Sequence, residues 1–260
     1  MNPIEIEQAQ INKPKISIIG FGNFGKFAAK HLIKNSAVVV TDILDKTEEA
    51  EDIGVKFVSL EQACKSKIII LAVPMEELEK TLENIKDKLQ PGTIVLDVCS
   101  LKMFACKAMK RILPENIEII GTHPLFGPQS APDLIKGMRI ALVNANAKQE
   151  TFNLIIEFCE KVGLKTIITT AEEHDKQMAS SQALTHFIGQ VAKKINLQRV
   201  EMSTKTFDDL MNIIDIIKND TPALFNNMQT INPFAKESRS IFVREAEKLN
   251  SQLNCESRRN

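Results

Sequence analysis

Lys15-Ile16-Ser17-Ile18-Ile19-Gly20-Phe21-Gly22-Asn23-Phe24-Gly25 passes from a short β-branched apolar run straight into three glycines spaced GxGxxG. The run is too short for a helix and suits a buried strand, while residues 24–34 carry helical periodicity. Strand, glycine turn and helix in that order form the phosphate-binding corner of a dinucleotide fold. The first glycine permits the tight turn, the second lets a pyrophosphate approach the backbone, and the third lets helix and strand pack closely. The helix N-terminus adds N–H donors and a partial positive charge. Thr41 and Asp42 close the next apolar run about twenty residues further on, where a carboxylate accepts hydrogen bonds from a ribose 2′-hydroxyl. Gly20, Phe21, Gly22, Asn23, Phe24, Gly25, Thr41 and Asp42 are the expected dinucleotide-binding residues. No arginine lies between 38 and 50, and Asp42, Asp45, Glu48 and Glu49 would repel a 2′-phosphate. NAD is therefore favoured over NADP, with Lys46 the nearby cation that argues the other way.

Outward from this corner, short apolar runs recur at 37–41, 67–73, 93–97, 117–121, 138–143 and 165–169, with helical stretches such as 75–89 and 101–112 between most of them. Strands alternating with helices predict an α/β, Rossmann-like domain over 15–170, its mostly parallel sheet covered on both faces. Beyond 170 no strand pattern remains, and helical spacing covers 171–195, 207–218, 222–229 and 233–249. Thr221-Pro222 and Asn232-Pro233 read as helix starts, a capping side chain followed by proline. An all-helical domain over 171–254 is expected, with mobile ends at 1–14 and 255–260.

Thirty-three basic and thirty-three acidic side chains cancel among 260 residues. Without a global positive field, nucleic acid and anionic membrane surfaces are not expected partners. The longest wholly apolar run, 68–75, has eight residues including a proline, whereas a membrane span needs about twenty. Five scattered cysteines show neither a CxxC pair nor a histidine at zinc-ligand spacing. They point to reduced thiols and no metal centre. The opening residues lack the basic and apolar regions of a secretory signal, so the expected location is the cytoplasm.

Ligands of an open parallel sheet bind at the carboxyl ends of its strands. Ala72, Val73 and Pro74 close one strand pattern and would line an adenosine, or simply form a strand exit. Asp97-Val98-Cys99-Ser100-Leu101-Lys102 closes another. Its Ser100 hydroxyl is expected near the nicotinamide, a role compatible with capping the following helix. Gly121-Thr122-His123-Pro124-Leu125-Phe126-Gly127-Pro128 follows a third, where prolines and glycines would hold an imidazole in a stiff loop. A histidine near neutrality can accept a proton from a substrate hydroxyl; the bland alternative is a histidine satisfied within a turn.

These residues, with Glu173-His174-Asp175 and Ser181-Gln182-Ala183-Leu184-Thr185-His186, resemble the prephenate and arogenate dehydrogenases of tyrosine biosynthesis over roughly residues 15–245, nearest the plant-type arogenate branch. The resemblance implies an oxidative decarboxylation in which a hydride leaves the ring carbon bearing the 4-hydroxyl. His123 falls on the family's catalytic histidine and Ser100 on the serine that orients the hydroxyl and the nicotinamide. Thr122, Gln182 and His186 fall on substrate-binding positions. Where many bacterial relatives carry an arginine for the substrate carboxylate, this chain reads Ser203-Thr204-Lys205-Thr206-Phe207-Asp208-Asp209, leaving Lys205 as the candidate and Arg239 and Lys236 as alternatives. Asp220 matches an acidic residue associated with arogenate, whose ammonium a carboxylate would pair with. The resemblance also implies a homodimer formed through the helices. Rival readings are another NAD-dependent dehydrogenase, of β-hydroxyacid or imine-reductase type, and a regulator that senses NAD without turnover.

Overall fold

The computed structural model describes residues 14–129, 134–218 and 221–256. Two compact units divide the chain, one running to Ala171 and the other from Glu172. The first contains β1 (Lys15–Ile19), α1 (Asn23–Leu32), β2 (Ala37–Thr41), α2 (Thr47–Ile53), β3 (Lys56–Phe57), α3 (Leu60–Ala63), β4 (Ile68–Leu71), α4 (Met75–Ile85), β5 (Ile94–Asp97), α5 (Lys102–Ile112), β6 (Glu118–Pro124), β7 (Arg139–Asn146), α6 (Gln149–Lys161) and β8 (Lys165–Ile168).

The strands form one sheet in the order β3-β2-β1-β4-β5-β6-β7-β8. All neighbours are parallel except β6 and β7. Alternation along the strands feeds two cores, which is why the strands read as near-continuous apolar runs. Ile16, Ile18, Ile68, Ile70, Ile94 and Leu96 cluster with Ala29 of α1, Ala50 of α2 and Phe152 of α6. Ile19, Ile69, Leu71, Val95 and Ile119 cluster with Leu78 and Leu82 of α4 and Met109 of α5. Strand order reverses between β1 and β4, and a ligand crevice opens at the carboxyl ends of such a pair.

One strand departs from expectation. β6 was expected to stop at Gly121, but it continues to Pro124 because Thr122, His123 and Pro124 pair with Leu142, Ala141 and Ile140 of β7. His123 therefore stands in the end of a strand and not in a stiff loop.

The second unit holds most of α7 (Ala171–Met178), then α8 (Leu184–Lys194), α9 (Lys205–Ile217), α10 (Pro222–Thr230) and α11 (Ala235–Glu256). The single helix expected over 171–195 is interrupted by a π-helical turn at Ala179–Ala183. Thr204 and Thr221 cap α9 and α10, their hydroxyls accepting from the N–H groups of Phe207 and Leu224. Asn232 accepts from the Phe234 N–H at 3.0 Å, as its capping pattern suggests. α11 begins two residues after Pro233 and runs past the expected end at 249, so Cys255 and Glu256, placed in the tail by the sequence pattern, are helical. Residues 1–13 and 257–260, within the ends expected to be mobile, and the candidate Asp220 lie outside the described residues.

Candidate active site

β1 ends at the glycine corner. Gly20 has φ +99°, and a Cβ there would lie 2.5 Å from the Ala72 carbonyl oxygen; only glycine lets the two strand exits approach this closely. A Cβ on Gly25 would run into the carbonyl oxygen of Gly20, whereas one on Gly22 would meet nothing within 4 Å. The corner is thus closed where strand and helix pack and open at the middle glycine, the N-cap of α1. Asn23 and Phe24 open that helix. Phe21 is fully buried, and its N–H and carbonyl are bonded to Asp42 and Lys46, so it shapes the corner from within. Thr41 is buried at the end of β2 and its carbonyl accepts from the Gly20 N–H at 2.9 Å.

Asp42 ties the corner to β2. Its carboxylate accepts from the N–H of Phe21 at 2.6 Å, from that of Leu44 at 3.1 Å and from the Lys46 ammonium at 3.3 Å. Lys46 also donates to the Phe21 carbonyl at 3.0 Å. Partial burial pushes the Asp42 carboxyl up, but the two N–H donors and the ammonium more than offset it and hold its pKa below the ordinary value. An ionised acid beside an open helix N-terminus is a setting that suits a dinucleotide. Ala72 and Val73 are half-buried and Pro74 exposed, at the exit of the adjacent β4.

At the ends of β5 and β6 stands a buried polar group that sequence reasoning missed. Lys102 and Asp97 form an ion pair with no exposed side-chain surface. Lys102 Nζ donates to the Thr122 carbonyl at 2.5 Å. Asp97 accepts from the N–H of Cys99 at 2.9 Å and of Thr122 at 3.2 Å, and the Thr122 hydroxyl donates to the Asp97 carbonyl. Thr122 therefore spends its polar groups inside the fold, which leaves little for the substrate role expected of it. The sequence did hold a signal: Lys102 shares the 3.6-residue stripe of Ala105, Cys106 and Met109, all buried. Next along β6, His123 is 4% exposed.

Ser100 is half-buried just before α5, but the N-cap is Leu101, with no side-chain cap bond; the capping role expected of Ser100 is not realised. On the face of the sheet packed by α1 and α6, Thr122 and Pro124 line an apolar cavity of about 100 Å³ together with Phe24, Phe27, Phe126 and Phe158. Burial pushes the thiol of Cys64 up to about 11 and that of Cys159 up to about 12, and none of the five cysteines is in a disulfide.

In the second unit, Gln182 lies in the π-turn and His186 in α8, both half-buried. The turn is held by Gln229, whose amide donates to the Ala183 carbonyl at 2.7 Å, and Arg239 donates in turn to the Gln229 carbonyl and side chain. His174 and Asp175 form a buried pair at 2.7 Å, with Asn232 donating to the Asp175 carbonyl. Lys205 disappoints as a carboxylate ligand. Its side chain is 80% exposed and paired with Asp209 one helical turn on. Among the described residues, no cluster of three or more His, Cys, Asp or Glu could hold a metal ion, and no helix is long and apolar enough to cross a membrane.

A family model described as "Prephenate dehydrogenase, nucleotide-binding domain" matches residues 27–168, and one described as "TYRAAT1-like, C-terminal domain" matches 191–260. The chain is 32% identical over 249 residues to a "Probable arogenate/prephenate dehydrogenase" of Methanocaldococcus jannaschii, covering 90% of this chain and 55% of that protein. It is 29% identical to "Arogenate dehydrogenase 1, chloroplastic" of Arabidopsis thaliana, covering 92% of this chain and 39% of that one. The chain thus spans about half the length of the first of these relatives and less of the second. Among solved structures, a prephenate dehydrogenase from A. aeolicus in complex with hydroxyphenyl propionate and NAD+ superposes with a TM-score of 0.77 at 19% identity, covering 95% of this chain and 92% of that one. That likeness carries the fold.

Proposed function

The chain belongs to the prephenate dehydrogenase nucleotide-binding-domain family, and from that membership we propose that it oxidatively decarboxylates arogenate, with prephenate the poorer substrate, using NAD. The observation that carries the reading is the carboxyl edge of the sheet: an open glycine corner with an ionised acid on β1 and β2, and an imidazole on the end of β6. When bound, NAD supplies a hydride acceptor. Gly22 and the N-terminus of α1 would take its diphosphate and Asp42 its ribose, with Ala72, Val73 and Pro74 along the adjoining strand exit.

His123 takes the proton of the ring hydroxyl as the carbon beneath it gives up its hydride, and carbon dioxide leaves as the ring becomes aromatic. The imidazole must be uncharged to do so. Ser100, at the exit of β5, orients the same hydroxyl. Gln182 and His186 are assigned to substrate binding on their SQxxTH motif, and Asp220 to the arogenate ammonium on its resemblance to the plant-type segment. Lys205, exposed and already paired, is not retained as the carboxylate ligand.

Exposed apolar side chains on α11, among them Ile241, Leu249 and Leu253, support a homodimer through the helical unit. Reduced cysteines support the cytoplasm. Steady-state assays with each substrate test the specificity. A kcat/KM higher for arogenate, with the preference lost in Asp220→Asn, is expected; equal or better use of prephenate by the wild-type chain would remove the arogenate assignment.

A further inference from the structure

Building on the reading of His123 as the proton acceptor, we propose that Lys102 and Asp97 are its positioning residues, a buried ion pair that carries β6 beyond the end of β5 and fixes the peptide on which the imidazole is mounted. The backbone ladder between β5 and β6 ends at Asp97 and Gly121. One residue later, Thr122 turns its N–H and carbonyl toward the side that β5 has vacated, as the partners of both groups show. The N–H is taken by the Asp97 carboxylate at 3.2 Å and the carbonyl by the Lys102 ammonium at 2.5 Å. Two side chains stand in for a missing strand. Without them a buried donor and acceptor would have no partner, a state folded proteins avoid.

Stability alone is a poor reason for this pair. Buried ion pairs often do no better than apolar groups of the same volume. Lys102 is also the first residue of α5, where the helix dipole disfavours a cation. An apolar plug could seal the end of β5, but it could not offer Thr122 both an acceptor and a donor. What the pair supplies is geometry. His123 follows directly on the clamped peptide, with its other neighbour Pro124 paired to Ile140 of β7. Small displacements of a reacting group are costly in rate, about a hundredfold for one ångström.

Lys102→Met keeps the length of the side chain and removes the ammonium. Wild-type, Lys102→Met and Asp97→Asn/Lys102→Met proteins are compared by thermal unfolding, NADH titration, steady-state kinetics, and ¹⁵N NMR of the imidazoles with His123 assigned from His123→Asn. The double variant is included because Lys102→Met strands a buried carboxylate, which by itself can unfold a protein. Expected is a folded variant with NADH affinity and substrate KM within about threefold of wild type and kcat lowered at least about tenfold, the mark of a lost transition-state alignment. The His123 ring signals shift or broaden in the same variant. A folded variant with wild-type kcat overturns the proposal, as does failure of both variants to fold, which would assign the pair to the fold alone. Absence of turnover in the wild type instead removes the dehydrogenase reading. In that case unchanged His123 signals in a folded variant overturn the positioning role, and shifted ones support it.

Discussion

In the proposed reaction, His123 and Asp42 carry the chemistry at the smallest scale. As the proton acceptor, His123 should be replaceable by asparagine without loss of the fold or of NADH binding, while kcat falls at least about a hundredfold, the usual share of a general base. Full activity of that variant would refute the role. Asp42 makes a pH prediction. Its folded pKa lies below the ordinary 3.8, so its contribution to stability is present above that value and lost as the pH falls through the depressed one. The stability gap between wild type and Asp42→Asn should stay level from neutrality down to about pH 5 and close below about 3.8; a gap that widens in acid would contradict the partners assigned to it. The place of Asp42 was legible in the sequence: an acid closing the strand after a glycine turn lies where its carboxylate meets the Phe21 N–H of that turn. Lys102 was not, because a lysine in a first helical turn normally reads as solvated, and only its place on the apolar stripe hinted otherwise.

Among the elements, the corner between β1 and α1 admits a paired test. Gly25→Ala pushes a Cβ into the Gly20 carbonyl, and backbone cannot swing aside, so a loss of about 1–3 kcal/mol, read as a lowered Tm, is expected. Gly22→Ala meets open space at φ −77°. It should unfold within about 0.5 kcal/mol of wild type yet bind NADH more weakly, since its methyl group occupies the path of the diphosphate. Unaltered NADH affinity in Gly22→Ala would deny the corner its phosphate. Strand and helix order was readable from periodicity, since the apolar repeat of each is local. Two boundaries were not. The extension of β6 comes from pairing with β7, whose partner residues lie some twenty positions away, and the π-turn at Ala179–Ala183 barely disturbs the apolar rhythm of the helices it joins.

For the whole molecule, the sequence was most informative where folding and binding use the same residues, in the doubly wound unit. It was least informative in the helical unit, where an apolar stripe reads the same for a core as for an interface, and where Lys205 proved exposed. The account as a whole rests on one reaction. Purified chain supplied with arogenate and NAD should produce NADH and carbon dioxide in equal amounts, measured together by absorbance and by ¹³C release from a carboxyl-labelled substrate. NADH without carbon dioxide would indicate a different dehydrogenase chemistry, and neither product from arogenate or prephenate would contradict the assignment outright.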